Sequence, residues 1–202
     1  MAHGARVWTI PNAISVARLA CVPLFLWLLW EADEGMWAAL LLAALGATDW
    51  VDGWIARRYD QGSELGKILD PTADRVLLVA AAVALLTQDM PGPVDVLLWI
   101  VLVREIVIAA VTIGLGVAGA RRIDVVWAGK AGTLAVMFAL PMFLAAESVS
   151  SGAASVLFSV AGWGFAIGGV VLGYYAAAKY VPAARVALAE GRAARRQAEV
   201  VT

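Results

Sequence analysis

Residues 48–74 read TDWVDGWIARRYDQGSELGKILDPTAD, and they place four functional candidates, all aspartates, in an otherwise apolar chain. Asp49 and Asp52 are three residues apart, and Asp70 and Asp74 are four residues apart, so each pair shares one face of a helix. The 17 residues between the two pairs are enough to reverse the chain. The stretch therefore predicts two helices that meet at one end around an acidic cluster.

The sequence on both sides of this stretch predicts an integral membrane protein. Of the 202 residues, 62% are hydrophobic and 15% are charged, whereas soluble domains are roughly half apolar and about a quarter charged. Six apolar runs approach the roughly 20 helical residues that cross a bilayer. We therefore predict an all-α integral membrane fold with six transmembrane helices, in a single domain over residues 1–202. The predicted spans are residues 14–30, 37–55, 71–87, 94–118, 126–146 and 153–180.

The charges between the spans fall into two sets. One set is acidic and follows spans one, three and five: Glu31, Asp33, Glu34, Asp89, Asp95 and Glu147. The other set is basic: Arg6, Arg57, Arg58, Lys67, Arg121, Arg122, Lys130, Lys179, Arg185, Arg192, Arg195 and Arg196. Because basic loops stay in the cytoplasm, we predict a multi-pass cell-membrane protein with both termini and the acidic cluster on the cytoplasmic side.

Two terminal segments complete this topology. Residues 1–12 are expected to form a short interfacial segment, with Pro11 and Asn12 opening the first span. The tail from Val181 is rich in alanine with spaced arginines, which favours a helix along the anionic leaflet. A solvated helix end without a function is the alternative for this tail.

Several classes of chemistry are excluded by composition. The only cysteine, Cys21, lies in an apolar run, so neither a disulfide framework nor a cysteine metal site is available. The only histidine, His3, is near the N-terminus, which leaves carboxylates for acid–base chemistry within the membrane. A net charge of −1 argues against a nucleic-acid partner.

The aspartate cluster predicts a metal site. Four carboxylates that converge where water is scarce repel one another unless protons or cations neutralise them. Hard oxygen ligands select Mg²⁺, Mn²⁺ or Ca²⁺ over zinc or copper, and four of them suit two ions. A lone aspartate would more often be a cap, and Asp70 before Pro71 could be a helix N-cap.

Three further residues around the cluster are candidates for binding a phosphate-bearing ligand. Gly53 and Gly66 would let a nucleotide approach the backbone, although each alone would be a packing or capping glycine. Arg57 could neutralise a carboxylate or clamp a phosphate, or simply anchor the cytoplasmic side. A cation transporter is the rival interpretation, since intramembrane carboxylates also line ion paths. It predicts acidic residues at several depths, whereas these gather at one edge.

At these positions the sequence resembles the CDP-alcohol phosphotransferase family, whose signature is D-x2-D-G-x2-A-R-x8-G-x3-D-x3-D. The signature is filled by Asp49, Asp52, Gly53, Ala56, Arg57, Gly66, Asp70 and Asp74. The resemblance implies a metal-dependent transferase of phospholipid biosynthesis that moves the phosphatidyl group of CDP-diacylglycerol to an alcohol and releases CMP. It implies that the four aspartates hold metal and that Asp74 is also the general base. Gly53, Ala56, Arg57 and Gly66 would bind the nucleotide.

The prediction of the acceptor alcohol rests on a less specific part of the resemblance. Residues 9–18, 69–75 and 104–106 look like the branch of phosphatidylglycerophosphate synthases and actinobacterial cardiolipin synthases. Glycerol 3-phosphate is narrowly favoured, with phosphatidylglycerol as the alternative and inositol phosphate as a third candidate. Candidate acceptor-binding cations are Arg104, Arg121, Arg122 and Lys130. The branch tends to read G-K-x-K-T where residues 129–133 read GKAGT, which shifts weight to phosphatidylglycerol.

The later spans also permit a homodimer. Small residues let helices approach closely in lipid, and they recur at Gly162, Gly164, Gly168, Gly169 and Gly173.

Overall fold

The computed structural model describes residues 9–59, 66–118, 127–149 and 152–201, and within these ranges every regular element is an α-helix. The prediction of an all-α fold is confirmed for this part of the chain. Helices are expected in a lipid environment because they satisfy their own backbone hydrogen bonds. The six helices are α1 (Ile10–Trp30), α2 (Gly35–Tyr59), α3 (Gly66–Leu86), α4 (Gly92–Val117), α5 (Trp127–Ser148) and α6 (Ala153–Val201).

Each predicted span coincides with one helix, and within the described residues four helices are long and apolar enough to cross a membrane, so the count of six spans stays a prediction. These are Asn12–Trp30 in α1, α4, α5 and Ala153–Tyr180 in α6. In α2 the apolar part is the shorter segment Gly35–Thr48.

The outer face of α4 shows what the helices present to their surroundings. Val96, Trp99, Val103 and Ile106 recur at helical spacing and are each more than half exposed. Such a continuous apolar stripe would be a liability in water, whereas it suits contact with acyl chains. The surface of α4 therefore agrees with a membrane environment.

The core is built around α3, which packs against α1, α4 and α5. Leu77, Leu78, Ala81 and Leu85 of α3 are completely buried. Asp74 lies one turn before the first of these leucines, so the carboxylate is carried by a part of α3 that borders its packed core.

The α5–α6 pair is packed backbone to backbone. A Cβ atom added to Gly132 would lie 2.8 Å from the carbonyl oxygen of Gly169, and one added to Gly169 would lie 2.8 Å from that of Gly132. Only glycine allows this approach. By contrast, a Cβ atom added to Gly164 or Gly168 would meet nothing within 4 Å, because both residues are exposed.

The predictions for the two terminal segments have different outcomes. Thr9 is the N-cap of α1, and its side chain accepts a hydrogen bond from the backbone N–H of Asn12 at 3.3 Å. Residues 1–8 of the expected interfacial segment lie outside the described residues. The predicted tail helix is confirmed, but it is continuous with α6, which runs through Pro182 to Val201.

Candidate functional site

Two helix ends carry the four aspartates. Asp49 and Asp52 lie one turn apart in the last part of α2, and Asp70 and Asp74 lie one turn apart near the start of α3. The interpretation of Asp70 as an N-cap is wrong, because α3 begins four residues earlier, at Gly66. The polar residues ahead of Pro71 are therefore helical, and the second aspartate pair is held by a helix along its whole length.

The side chains of Asp49, Asp52 and Asp70 lie outside the part of the structure that is described, and so do those of Ala56 and Arg57 and the surroundings of Gly53. Gly66 is the first residue of α3 and is half-buried. Among the described residues, no three histidine, cysteine, aspartate or glutamate side chains come together. The metal and nucleotide sites therefore stay predictions, and their all-oxygen donor set fits Mg²⁺ or Mn²⁺.

Asp74 is the aspartate whose surroundings the structure shows. Its Oδ1 atom accepts a hydrogen bond from Nη1 of Arg18, a residue of α1 that lies 56 positions earlier. The Arg18 side chain is 0% exposed, whereas that of Asp74 is 21% exposed. The carboxylate thus contacts a buried cation and is itself partly exposed, which is the arrangement that a group reacting with a substrate needs.

Arg18 belongs to a polar stripe that sequence analysis did not identify as functional. Asn12, Ser15 and Arg18 recur every three residues along α1, and all three are buried. Residues at this spacing lie on one face of a helix. The sequence did contain a signal that could have identified Arg18, because an ionisable residue within an apolar span is a functional candidate by default.

Arg104, a predicted acceptor-binding residue, is already paired. Its Nη1 atom donates to Oε1 of Glu105 at 2.8 Å, and the two side chains are 8% and 7% exposed. The guanidinium also fills the space left by Gly173 of α6, because a Cβ atom there would lie 2.8 Å from Nε of Arg104. The neighbouring carboxylate compensates the charge that Arg104 would offer to a phosphate.

The other predicted acceptor-binding cations lie apart from this pair in the chain. Lys130 is in the first turn of α5 and is exposed. Arg121 and Arg122 fall between α4 and α5, outside the described residues. Of the four predicted cations, the structure therefore describes two: Lys130, which is exposed, and Arg104, whose charge Glu105 compensates.

Comparison with known proteins identifies the chain's relatives. The model of the CDP-alcohol phosphatidyltransferase family matches residues 8–175. A cardiolipin synthase (CMP-forming) of Streptomyces coelicolor is 40% identical over 184 residues, which are 87% of this chain and 82% of the relative.

Two further relatives carry the name CDP-diacylglycerol–glycerol-3-phosphate 3-phosphatidyltransferase. The Haemophilus influenzae protein is 33% identical over 136 residues, which are 66% of this chain and 74% of the relative. The Pseudomonas fluorescens protein is 36% identical over 147 residues, which are 67% of this chain and 72% of the relative.

Proposed function

The chain belongs to the CDP-alcohol phosphatidyltransferase family, and on this premise we propose that it is a cardiolipin synthase that uses phosphatidylglycerol as the acceptor. The observation that carries the choice of acceptor is the similarity to the Streptomyces coelicolor cardiolipin synthase, which has the higher identity and covers more of the chain. Gly132, at the position where the glycerophosphate branch tends to carry a second lysine, supports the same choice.

The pairing of Arg104 also favours phosphatidylglycerol. Glycerol 3-phosphate carries a terminal phosphate with up to two negative charges, whereas the phosphodiester of phosphatidylglycerol carries one. A dianionic acceptor needs several uncompensated cations, and the carboxylate of Glu105 compensates Arg104. Glycerol 3-phosphate remains the second candidate because two relatives are named for its use.

In the proposed reaction, a hydroxyl oxygen of phosphatidylglycerol attacks the phosphorus of the phosphatidyl group in CDP-diacylglycerol. The new phosphorus–oxygen bond forms as the bond to the CMP oxygen breaks, and CMP leaves. Asp74 accepts the proton of the attacking hydroxyl as general base. Its partial exposure supports this role, because the carboxylate must reach the acceptor.

The reaction is proposed to depend on Mg²⁺ or Mn²⁺, with two ions held by Asp49, Asp52, Asp70 and Asp74. When bound, a divalent cation neutralises the charge on the diphosphate and on the CMP leaving group. Gly53, Ala56, Arg57 and Gly66 are proposed to border the nucleotide. The placement of one aspartate pair in the last part of α2 and of the other in the first part of α3, the next helix of the chain, supports this assignment.

The proposed topology has six membrane spans, with both termini and the active site in the cytoplasm. The asymmetric distribution of lysine and arginine supports the orientation. α2 and α3, the helices that carry the aspartates, each pack against α1 and α5. Tagging each terminus and testing its accessibility in sealed vesicles would check the orientation.

A homodimer is the proposed assembly. Gly164 and Gly168 form a G-x-x-x-G pair on α6, both are exposed, and neither has an atom within 4 Å of the position of an added Cβ. Such pairs mediate contacts between transmembrane helices. Mass measurement in detergent, repeated with Gly164→Leu, would test whether this face holds two copies together.

The test of the function is an acceptor panel. Purified enzyme receives CDP-diacylglycerol, Mg²⁺ or Mn²⁺ and one of phosphatidylglycerol, glycerol 3-phosphate or inositol phosphate, and released CMP is measured. We expect release with phosphatidylglycerol, loss of release in Asp74→Asn, and wild-type release in Asp89→Asn, which changes an exposed aspartate near the opposite end of α3. Release with glycerol 3-phosphate alone would select the second candidate. Cation flux in liposomes without CMP release would instead support the transporter interpretation.

A further inference from the structure

The Arg18–Asp74 pair joins two helices at matching depth. Arg18 lies eight residues after the first residue of α1, and Asp74 lies eight residues after the first residue of α3. At a rise of 1.5 Å per residue, both are about 12 Å inside their helices. The guanidinium has no exposed surface, so it is a buried charge whose counter-ion is the carboxylate of Asp74.

Other contacts besides this ion pair also hold α1 against α3. Phe25 and Leu29 of α1 belong to the same buried apolar cluster as Leu78 of α3. At the other end of the two helices, Nε1 of Trp30 donates to Oγ1 of Thr87 at 2.9 Å. Burying two charges is costly, and apolar residues of similar volume often stabilise a fold as well or better. A buried arginine at this position therefore points to a role other than attachment.

Resting on the function proposed above, we propose that Arg18 is a positioning residue for Asp74. Its Nη1 donates to Oδ1 of Asp74, which fixes the rotation of the partly exposed carboxylate and favours its anionic form. During transfer the acceptor's hydroxyl proton passes to Asp74, while Arg18 neither gains nor loses a proton. Arg18 thus acts through Asp74 and contacts no reacting atom.

The chemistry of arginine accounts for the choice of residue. A guanidinium is planar and stays protonated even when buried, whereas a buried lysine readily loses its proton. Its donors form a rigid fork, so it fixes the orientation of a carboxylate as well as its charge. Lysine at position 18 would supply the charge without the same orientation.

The test compares Arg18→Met, Arg18→Lys and a matched control, Trp30→Phe, which removes the hydrogen bond from α1 to Thr87, the residue that follows α3. For each variant, kcat, the KM for CDP-diacylglycerol and the melting temperature in detergent are measured. We expect Arg18→Met to lower kcat about 100-fold, since misplacing a reacting group by about 1 Å costs that much. The KM should stay within about twofold because donor binding is not its role. Arg18→Lys should recover part of kcat, and Trp30→Phe should lower the melting temperature while kcat is unchanged.

Two results would overturn the proposal. If Arg18→Met and Trp30→Phe lose activity only in proportion to lost folded protein, Arg18 is a structural contact. If Arg18→Met cannot be purified, Arg18→Lys decides, because a folded lysine variant with wild-type kcat contradicts an orienting role. Failure of the proposed function is a different outcome, namely wild-type CMP release by Asp74→Asn. If Asp74→Asn is inactive while Arg18→Met is fully active, the positioning role of Arg18 is rejected and the proposed role of Asp74 stands.

Discussion

Replacing Gly132 by alanine should weaken the packing of α5 on α6. The added methyl group would lie 2.8 Å from the carbonyl oxygen of Gly169 and 2.9 Å from the backbone nitrogen of Gly173. Ordinary contacts with carbon begin near ~3.5 Å, so the helices must separate by about 0.7 Å. Both obstacles are backbone atoms, which cannot turn aside as a side chain would. Such overpacking costs about 1–3 kcal/mol.

The matched control is Gly114→Ala on α4, since a Cβ atom at this exposed residue meets nothing within 4 Å. Both substitutions gain roughly the same helix propensity, up to about 1 kcal/mol, so the difference between them isolates the steric cost. For a chain of this size that difference corresponds to about 2–12 °C in melting temperature. Thermal unfolding in detergent, followed by tryptophan fluorescence, measures it. Equal melting temperatures in the two variants would refute the backbone-to-backbone packing of α5 and α6.

Three other predictions concern the site. Gly173→Ala should displace the Arg104 guanidinium, whose Nε would lie 2.8 Å from the new methyl group, and should lower the melting temperature. Because Glu105 already compensates Arg104, the KM for the acceptor should stay unchanged, and a raised acceptor KM would return Arg104 to acceptor binding. Asp49→Asn and Asp70→Asn should each lower Mn²⁺ affinity, by about tenfold or more if each supplies a ligand, and calorimetric titrations indistinguishable from wild type would exclude them as ligands. Chelation with EDTA should abolish CMP release, and added Mg²⁺ or Mn²⁺ should restore it; persistent activity in EDTA would contradict metal dependence.

The helices could be predicted from sequence because lipid leaves the backbone few alternatives. The predicted ends of the helices were less accurate where the sequence becomes polar. The third span was predicted to begin at residue 71, whereas α3 begins at Gly66, since a polar segment can remain helical when the rest of the helix is packed in the core. The same local reasoning treated the tail after Tyr180 as a separate helix, although α6 continues through it.

The candidate site was predictable in its residues more than in its partners. The aspartate spacing indicated two helix faces, and the structure places both pairs on helices. The partner of Asp74 could not be found this way, because Arg18 is 56 residues away and nothing local connects the two. The Arg104–Glu105 contact was also unexpected, since adjacent residues on a helix do not face each other and only their long side chains allow the pair to form.

The burial of Arg18 also has a consequence for how the protein is made. Its counter-ion Asp74 is synthesised 56 residues later, which at about 5–20 residues per second is a delay of about 3–11 s. In that interval the nascent α1 must enter the bilayer with an arginine that costs about 2.5–3.5 kcal/mol at the centre of a span. The remaining apolar residues of α1 must offset this cost until α3 arrives. The first helix therefore settles at its final depth only after the third has been inserted, so the two are expected to mature together during biogenesis.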